Sequence, residues 1–119
     1  MSDFKNLPAW KRGMAVAHTV YAAAEVAGLS GSEAGRRLRK AAVSVPSLIG
    51  EAYLDPGGRE AEEALFLAQG RIAELERLLA SEAELAAIPE SERLALLAEI
   101  DLLKEDLEEL RAAQAGRPS

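Results

Sequence analysis

A proline lies at the centre of the most regular amphipathic segment of this 119-residue chain, Leu38 to Tyr53, and restricts how that segment can fold. Apolar residues recur in it at steps of three and four, the spacing of one helix face: Leu38, Ala42, Val45, Ile49 and Ala52. Pro46 cannot donate a hydrogen bond to the Ala42 carbonyl, and its ring crowds that turn, at a cost of about 3 kcal/mol in a helix interior. We therefore expect a helix that is kinked at Pro46 and stabilised by its neighbours.

Two serines flank this proline in the sequence. Ser44 and Ser47 each lie within two residues of Pro46. Serine hydroxyls can bond to backbone carbonyls in kinked helices. We expect both side chains to reach carbonyls that the proline leaves without a donor.

The periodicity and the end signals together predict four helices. Pro8 suits a first helical position, Gly28 ends the first helix, and Ser30 with Glu33 has the spacing of a capping box. The predicted helices run from Pro8 to Ala27, from the Ser30 cap to Leu54, from Arg59 into the mid-80s, and from Pro89 to about Ala113.

Each of the other three helices also carries a predicted apolar stripe. The first consists of Leu7, Trp10, Met14, Ala17, Tyr21 and Ala24. The third consists of Leu65, Ala68, Ile72, Leu75 and Leu79, and the fourth of Leu96, Ile100, Leu103, Leu107 and Leu110. Because the connections are short, we predict an all-α, antiparallel, up-down-up-down four-helix bundle. Residues 1–113 form its single domain, and residues 114–119 are expected to be a disordered tail.

Composition narrows the class of protein. Aromatic residues make up 4% of the chain, which favours an aliphatic helical core. There is no cysteine, so disulfides and thiolate metal sites are excluded. No apolar run approaches the roughly 18 residues of a membrane span, and the N-terminal segment lacks the apolar core of a signal peptide. We expect a cytoplasmic protein with no membrane partner.

Three segments carry a family resemblance. AAVSVPSLIGEA, within the second predicted helix, is similar to the helix-two signature of the four-helix-bundle proteins, a bacterial family that includes proteins encoded in intervening sequences of 23S rRNA genes. Phe4 to Tyr21 resembles the family's first helix, and Leu65 to Leu79 its third. The residues to which the resemblance assigns a structural role are Trp10, Tyr21, Ser44, Pro46, Ser47, Glu51, Gly70 and Glu74. The resemblance implies homo-oligomers, with pentameric rings known among members and among related accessory proteins of diversity-generating retroelements.

The net charge of −6 is unevenly distributed. Residues 1–40 hold seven basic and three acidic side chains, a net charge of +4, and residues 41–119 hold seven basic and 17 acidic ones, a net charge of −10. The two parts attract each other, either within one molecule or between subunits.

The fourth helix is apolar on more than one side. Leu94, Leu97 and Leu102 lie off its main stripe. A small bundle rarely exposes such a surface unless something covers it. We interpret these leucines as a candidate oligomer interface, with a widened intramolecular core as the alternative.

Few residues suggest catalysis. His18 is the only histidine and has no carboxylate three residues before it, so a di-iron site is not expected. Glu51 and Glu74 lie beside small or apolar residues, and we expect them to pair with Arg39, Arg71 or a backbone group. No nucleophile elbow, phosphate loop or zinc spacing occurs. We predict no enzymatic activity, cofactor, metal or small-molecule substrate.

Arg36, Arg37, Arg39 and Lys40 form the one dense basic cluster of the sequence, a candidate contact for nucleic acid or a partner protein. The pI of about 4.9 and the lack of nearby aromatic residues in the sequence argue against nucleic acid. Our main hypothesis is a non-enzymatic, self-assembling bundle that acts as a scaffold or interaction protein. The alternative is a nucleic-acid-binding accessory factor that acts on rRNA or with a reverse transcriptase.

Overall fold

A computed structural model describes residues 4–116 and confirms the predicted all-α fold. Within that range the chain forms four α-helices and two short 3-10 helices, and no strand. The α-helices are α1 (Pro8–Val26), α2 (Glu33–Ala52), α3 (Arg59–Ser81) and α4 (Glu90–Ala115). The 3-10 helices are Phe4–Asn6, before α1, and Ala83–Ala87, between α3 and α4.

Contacts across the bundle show that sequential helices run antiparallel. Along α3 and α4, the amide of Gln69 donates to Glu108 at 2.7 Å, and the Lys104 ammonium pairs with Glu76 at 3.1 Å, so chain numbers rise on one helix as they fall on the other. Each helix packs against two neighbours, in the cycle α1, α2, α3, α4 and back to α1. The bundle is 47 Å long and 23 by 22 Å across.

Three of the predicted stripes form the core. All five apolar residues predicted for α2, and all five predicted for α3, are buried. On α4, the stripe is buried from Leu96 to Leu107, and Leu110 packs against its edge. The core is therefore aliphatic, as the composition indicated.

The predicted stripe of α1 was partly wrong. The buried residues of this helix are smaller: Ala9, Gly13, Val16, Ala17, Val20 and Ala24. Tyr21 is 47% exposed, and Trp10 and Leu7 are only half-buried. Because small residues face α2 and α4, the larger side chains lie at the edge of the α1–α2 interface instead of inside it.

Helix α2 continues through Pro46, which is buried against α1. A Cβ atom placed on Gly13 would lie 3.6 Å from the Pro46 ring, so the two residues are in close contact. The Ser44 hydroxyl donates to the Ala41 carbonyl at 2.7 Å, one residue before the carbonyl that the proline leaves without a donor. Ser47 is exposed and makes no hydrogen bond through its side chain within residues 4–116. Of the two serines, only Ser44 therefore bonds to a carbonyl near Pro46. That carbonyl belongs to Ala41 and not to Ala42, whose carbonyl the proline leaves without a donor.

The turn between α1 and α2 corrects the predicted cap. Gly28 has a φ of 73°, and the amides of Gly28 and Leu29 donate to Glu25 and Ala24, which satisfies the last carbonyls of α1. Helix α2 is capped by Ser32, whose hydroxyl accepts from the Gly35 amide at 2.9 Å, and not by Ser30. The turn between the two helices therefore extends to Ser32, and α2 begins at Glu33.

The ends of α3 and α4 also differ from the prediction. Helix α3 ends at Ser81, and the chain then forms a 3-10 turn that buries Leu85 and leads to buried Ile88. Helix α4 extends to Ala115, and Gln114 is 6% exposed, so the predicted tail at 114–119 begins too early. Its last three residues, 117–119, lie outside the described residues, as do residues 1–3 of the predicted domain.

Two buried helical glycines should respond oppositely to alanine. At Gly13 the new methyl group meets Pro46 at ordinary contact distance, so Gly13→Ala should raise the free energy of unfolding by about 0.5–1 kcal/mol through helix propensity. At Gly35 a methyl group would overlap the Leu29 carbonyl oxygen, so Gly35→Ala should lower it by about 1–3 kcal/mol. Urea unfolding of both variants measures this, and effects of the same sign would contradict it.

The cap assignment also makes a prediction. Ser32→Ala removes the acceptor of the Gly35 amide and should lower the free energy of unfolding by about 1 kcal/mol. Ser30→Ala is the matched control, because Ser30 contributes only its carbonyl, to Arg39, and that group is unchanged by the substitution. Thermal unfolding followed by circular dichroism compares the two, and a larger loss for the Ser30 variant would show that the assigned cap is wrong.

Candidate functional site

The four side chains of the basic cluster on α2 point in different directions, because residues 36–40 span more than one helical turn. Arg36 pairs with Glu33 at 3.3 Å, and Arg37 lies 4.0 Å from Glu82, beyond the end of α3. Lys40 is exposed and has no ion pair within residues 4–116. The cluster is therefore not one continuous surface of unpaired cations.

Arg39 points towards α1. Its Nη2 donates to the Ser30 carbonyl at 2.8 Å, and its guanidinium carbon lies 5.8 Å from the centre of the Tyr21 ring. This distance is within the range of a cation–π interaction. The expectation that no aromatic residue lies near the cluster was wrong, because α1 brings Tyr21 there from a distant part of the sequence.

A groove between α1 and α2 lies nearer the start of α1, beside Phe4 and Trp10. The Phe4 and Trp10 rings meet edge to face, with centroids 5.6 Å apart and an interplanar angle of 77°. Beside them an open groove of about 440 Å³ is lined by Phe4, Trp10, Met14, Val43, Pro46, Ser47 and Gly50. We call the surface formed by Phe4, Trp10, Met14 and Val43 the aromatic face.

Five of the eight residues assigned a role by the family resemblance lie at or near this interface: Trp10, Tyr21, Ser44, Pro46 and Ser47. On α3, Glu74 pairs with Arg71 at 3.3 Å, one of the partners expected for it. Glu51 is exposed and has no ion pair within residues 4–116, so the partner expected for it is not observed. Gly70 is exposed, and a Cβ atom there would have nothing within 4 Å.

The candidate interface on α4 contains two of the three expected leucines. Leu94 is 58% exposed and Leu102 is 43% exposed. With Ala98 between them they recur every four residues and form one ridge, which we call the leucine ridge. Leu97 lies about 100° further around the helix than its neighbour Leu96 and packs against the core. It therefore widens the intramolecular core, which was the alternative reading for these leucines.

An acidic row accompanies the leucine ridge. Asp101, Glu105 and Glu109 also recur every four residues, and none of them has an ion pair within the described part of the chain. On a helix these positions lie directly beside Ala98 and Leu102. The outer side of α4 thus combines exposed apolar and unpaired acidic side chains.

Sequence reasoning missed an ionic contact that joins α1 to α4. Arg12 donates from Nε to Asp106 at 2.6 Å and from Nη1 to Glu99 at 3.0 Å. The hydrogen bond to Asp106 is the main reason that the pKa of Arg12 is raised above its usual value, although desolvation acts in the opposite direction. The signal available in the sequence was the seven-residue spacing of Glu99 and Asp106 beside the leucine stripe.

Neither a cluster of metal ligands nor a membrane-spanning helix is found among the described residues. His18, the only histidine of the sequence, is exposed on α1. Over residues 4–116, no three His, Asp or Glu side chains are grouped closely enough to hold a metal ion. None of the helices in that range is sufficiently long and apolar to cross a membrane.

No protein-family model matches the chain, and no curated protein matches it. The family resemblance depends on the sequence motifs alone and stays a prediction. Because four-helix bundles have many unrelated functions, the fold alone does not indicate what this protein does.

The Arg12 contact makes a prediction about stability. Arg12→Met leaves Asp106, whose side chain is 15% exposed, without its charged donor and should lower the free energy of unfolding by about 1–2 kcal/mol. Arg59→Met removes an ion pair in which the arginine side chain is 91% exposed and should change it by less than about 0.5 kcal/mol. Urea unfolding tests both variants, and equal losses would contradict a specific role for Arg12.

Proposed function

We propose that this protein is a non-enzymatic helical bundle that assembles with copies of itself into a ring-like homo-oligomer and serves as a scaffold or interaction protein. The observation that carries the proposal is the leucine ridge. Single exposed leucines are common on protein surfaces, but exposed leucines aligned on one side of a helix are typical of a contact surface. The ridge is uncovered by the protein's own helices at Leu94 and Leu102.

The distribution of charge supports the same proposal. Part of the attraction between the basic N-terminal residues and the acidic remainder is used inside the molecule, by Arg12 and by Arg37. The acidic row of α4 and the cations Lys11 and Lys40 have no ion pairs within residues 4–116. Opposite charges that are unpaired on one molecule favour contacts between molecules.

The number of subunits and the family rest on the sequence motifs. The resemblance to the four-helix-bundle proteins supports membership of that family and a pentamer. The absence of cysteine suits a reducing compartment and supports a location in the cytoplasm.

One observation favours a second function, nucleic-acid binding by an accessory factor that acts on rRNA or with a reverse transcriptase. Tyr21, which is exposed, and Arg39, which is half-buried, form an aromatic and cationic pair, and side chains of both kinds stack on unpaired bases. Arg36 and Lys40 are exposed on the same helix. We place this function second because the chain is acidic overall, with a net charge of −6.

Light scattering coupled to size-exclusion chromatography tests self-assembly. At low ionic strength we expect a mass close to five times the 12.7 kDa of the chain. Because unpaired charges lie beside the apolar surfaces, salt should weaken the assembly. Its dissociation should therefore occur at higher protein concentrations as salt rises from about 0.05 to 0.5 M. A monomer mass at every protein concentration would overturn the proposal.

The same preparation distinguishes the second function. Filter binding with a structured RNA should show only weak retention, without a steep dependence on salt. Tight retention that falls steeply between low and moderate salt would indicate several phosphate contacts and favour the accessory factor. Tyr21→Ala and Arg39→Ala should then each weaken the retention, while Arg59→Ala, on α3, serves as the control.

A further inference from the structure

We propose that the leucine ridge of one copy docks into the aromatic face of the next, so that the two contacting surfaces are different. This inference depends on the self-assembly proposed above and adds which surfaces meet. The ridge is Leu94, Ala98 and Leu102 of α4, and the receiving surface is the groove between α1 and α2.

The aromatic face has the shape of a receiving groove. The large side chains stand at its edges, because the residues of α1 that face α2 are small. Gly50 lines it beside Phe4, and Pro46, which also lines it, lies against Gly13 of α1. Val43 is 47% exposed, so the apolar surface is open along the α2 side. A ridge of modest side chains can therefore approach closely.

The lengths of the two surfaces agree. From Leu94 to Leu102 the ridge covers eight residues, or about 12 Å at 1.5 Å per residue. The groove follows α2 from Val43 to Gly50, a rise of seven residues, or about 10 Å. A row of side chains spaced by four residues is also the ridge that helices most often pack into a neighbouring groove.

The charges beside the two surfaces are opposite. Lys11 lies one turn from Met14, and Lys40 lies one turn from Val43, so a cation borders the middle of the groove on each helix, while the single carboxylate Glu51 borders its end beside Ser47. Asp101, Glu105 and Glu109 border the ridge. When the leucines enter the groove, the acidic row lies over one of these basic borders. Two aromatic faces or two ridges in contact would instead bring like charges together.

The contact has to form between molecules. Helix α4 packs against α1 and α3, and the ridge lies on the side of α4 that faces away from the core. It cannot reach the α1–α2 groove of its own chain. Because the two surfaces differ, each copy retains one free surface after the first contact, which leads to a closed ring or an open filament.

Complementary variants test the pairing. Val43→Glu places a carboxylate in the groove, opposite the acidic row, and Leu102→Glu places one on the ridge. Leu67→Glu is the matched control, because Leu67 is 53% exposed on α3 and belongs to neither surface. Each interface variant alone should fall to the 12.7 kDa monomer, while the control keeps the wild-type mass. An equal mixture of the two interface variants should form a dimer of twice the monomer mass, since one intact surface remains on each.

The outcomes separate this inference from the proposed self-assembly. Wild-type protein that is always monomeric would overturn both. An assembled wild type whose two interface variants stay monomeric when mixed would overturn only the pairing, as would either variant dimerising alone. Loss of the assembly in the Leu67→Glu variant would also overturn the pairing, because it would place the interface on α3. Circular dichroism melting checks that the variants are folded, and Leu94→Glu, at the more exposed ridge position, replaces Leu102→Glu if the latter does not fold.

Discussion

The packing of α2 between α1 and α3 is the constraint on which the rest of the structure depends. Pro46 removes one backbone donor in the middle of this helix, and an isolated helix would lose about 3 kcal/mol there. The helix nevertheless continues to Ala52, because its whole apolar face is buried and the proline ring lies against Gly13. Burial of aliphatic side chains at about 25 cal/mol per Å² readily exceeds the loss of one hydrogen bond.

The close approach of α1 to α2 also determines which side chains remain at the surface. A helix that presents glycine, alanine and valine to its neighbours leaves its larger residues at the edges of the contact. Trp10 and Met14 therefore line a groove, and Tyr21 stays exposed, instead of filling the core. The same geometry brings Arg39 over the Tyr21 ring. The most distinctive surface of the protein is thus a direct result of how the proline-containing helix is packed.

Much of the fold could be predicted from sequence because apolar spacing is a local property. The stripes of α2 and α3 were correct at every position, whereas that of α1 was not, since alanine and glycine carry little hydrophobic signal. The cap was assigned to Ser30 instead of Ser32 because both precede a plausible first turn, and only the Gly35 amide distinguishes them. Of the candidate interface residues, Leu97 could not be separated from Leu94, because only the rotation of α4 against its neighbours places Leu97 at the core.

The sequence by itself determined that this chain is helical, where its helices lie to within a few residues, and that its charge is divided between its two ends, because these properties follow from local spacing and composition. Only the tertiary structure decided which exposed groups lie together. Arg39 lies over the Tyr21 ring, Arg12 donates to Asp106, and Leu94 and Leu102 align on an uncovered side of α4. Such pairings depend on the rotation of each helix about its axis, and that rotation is set by packing against the neighbouring helices.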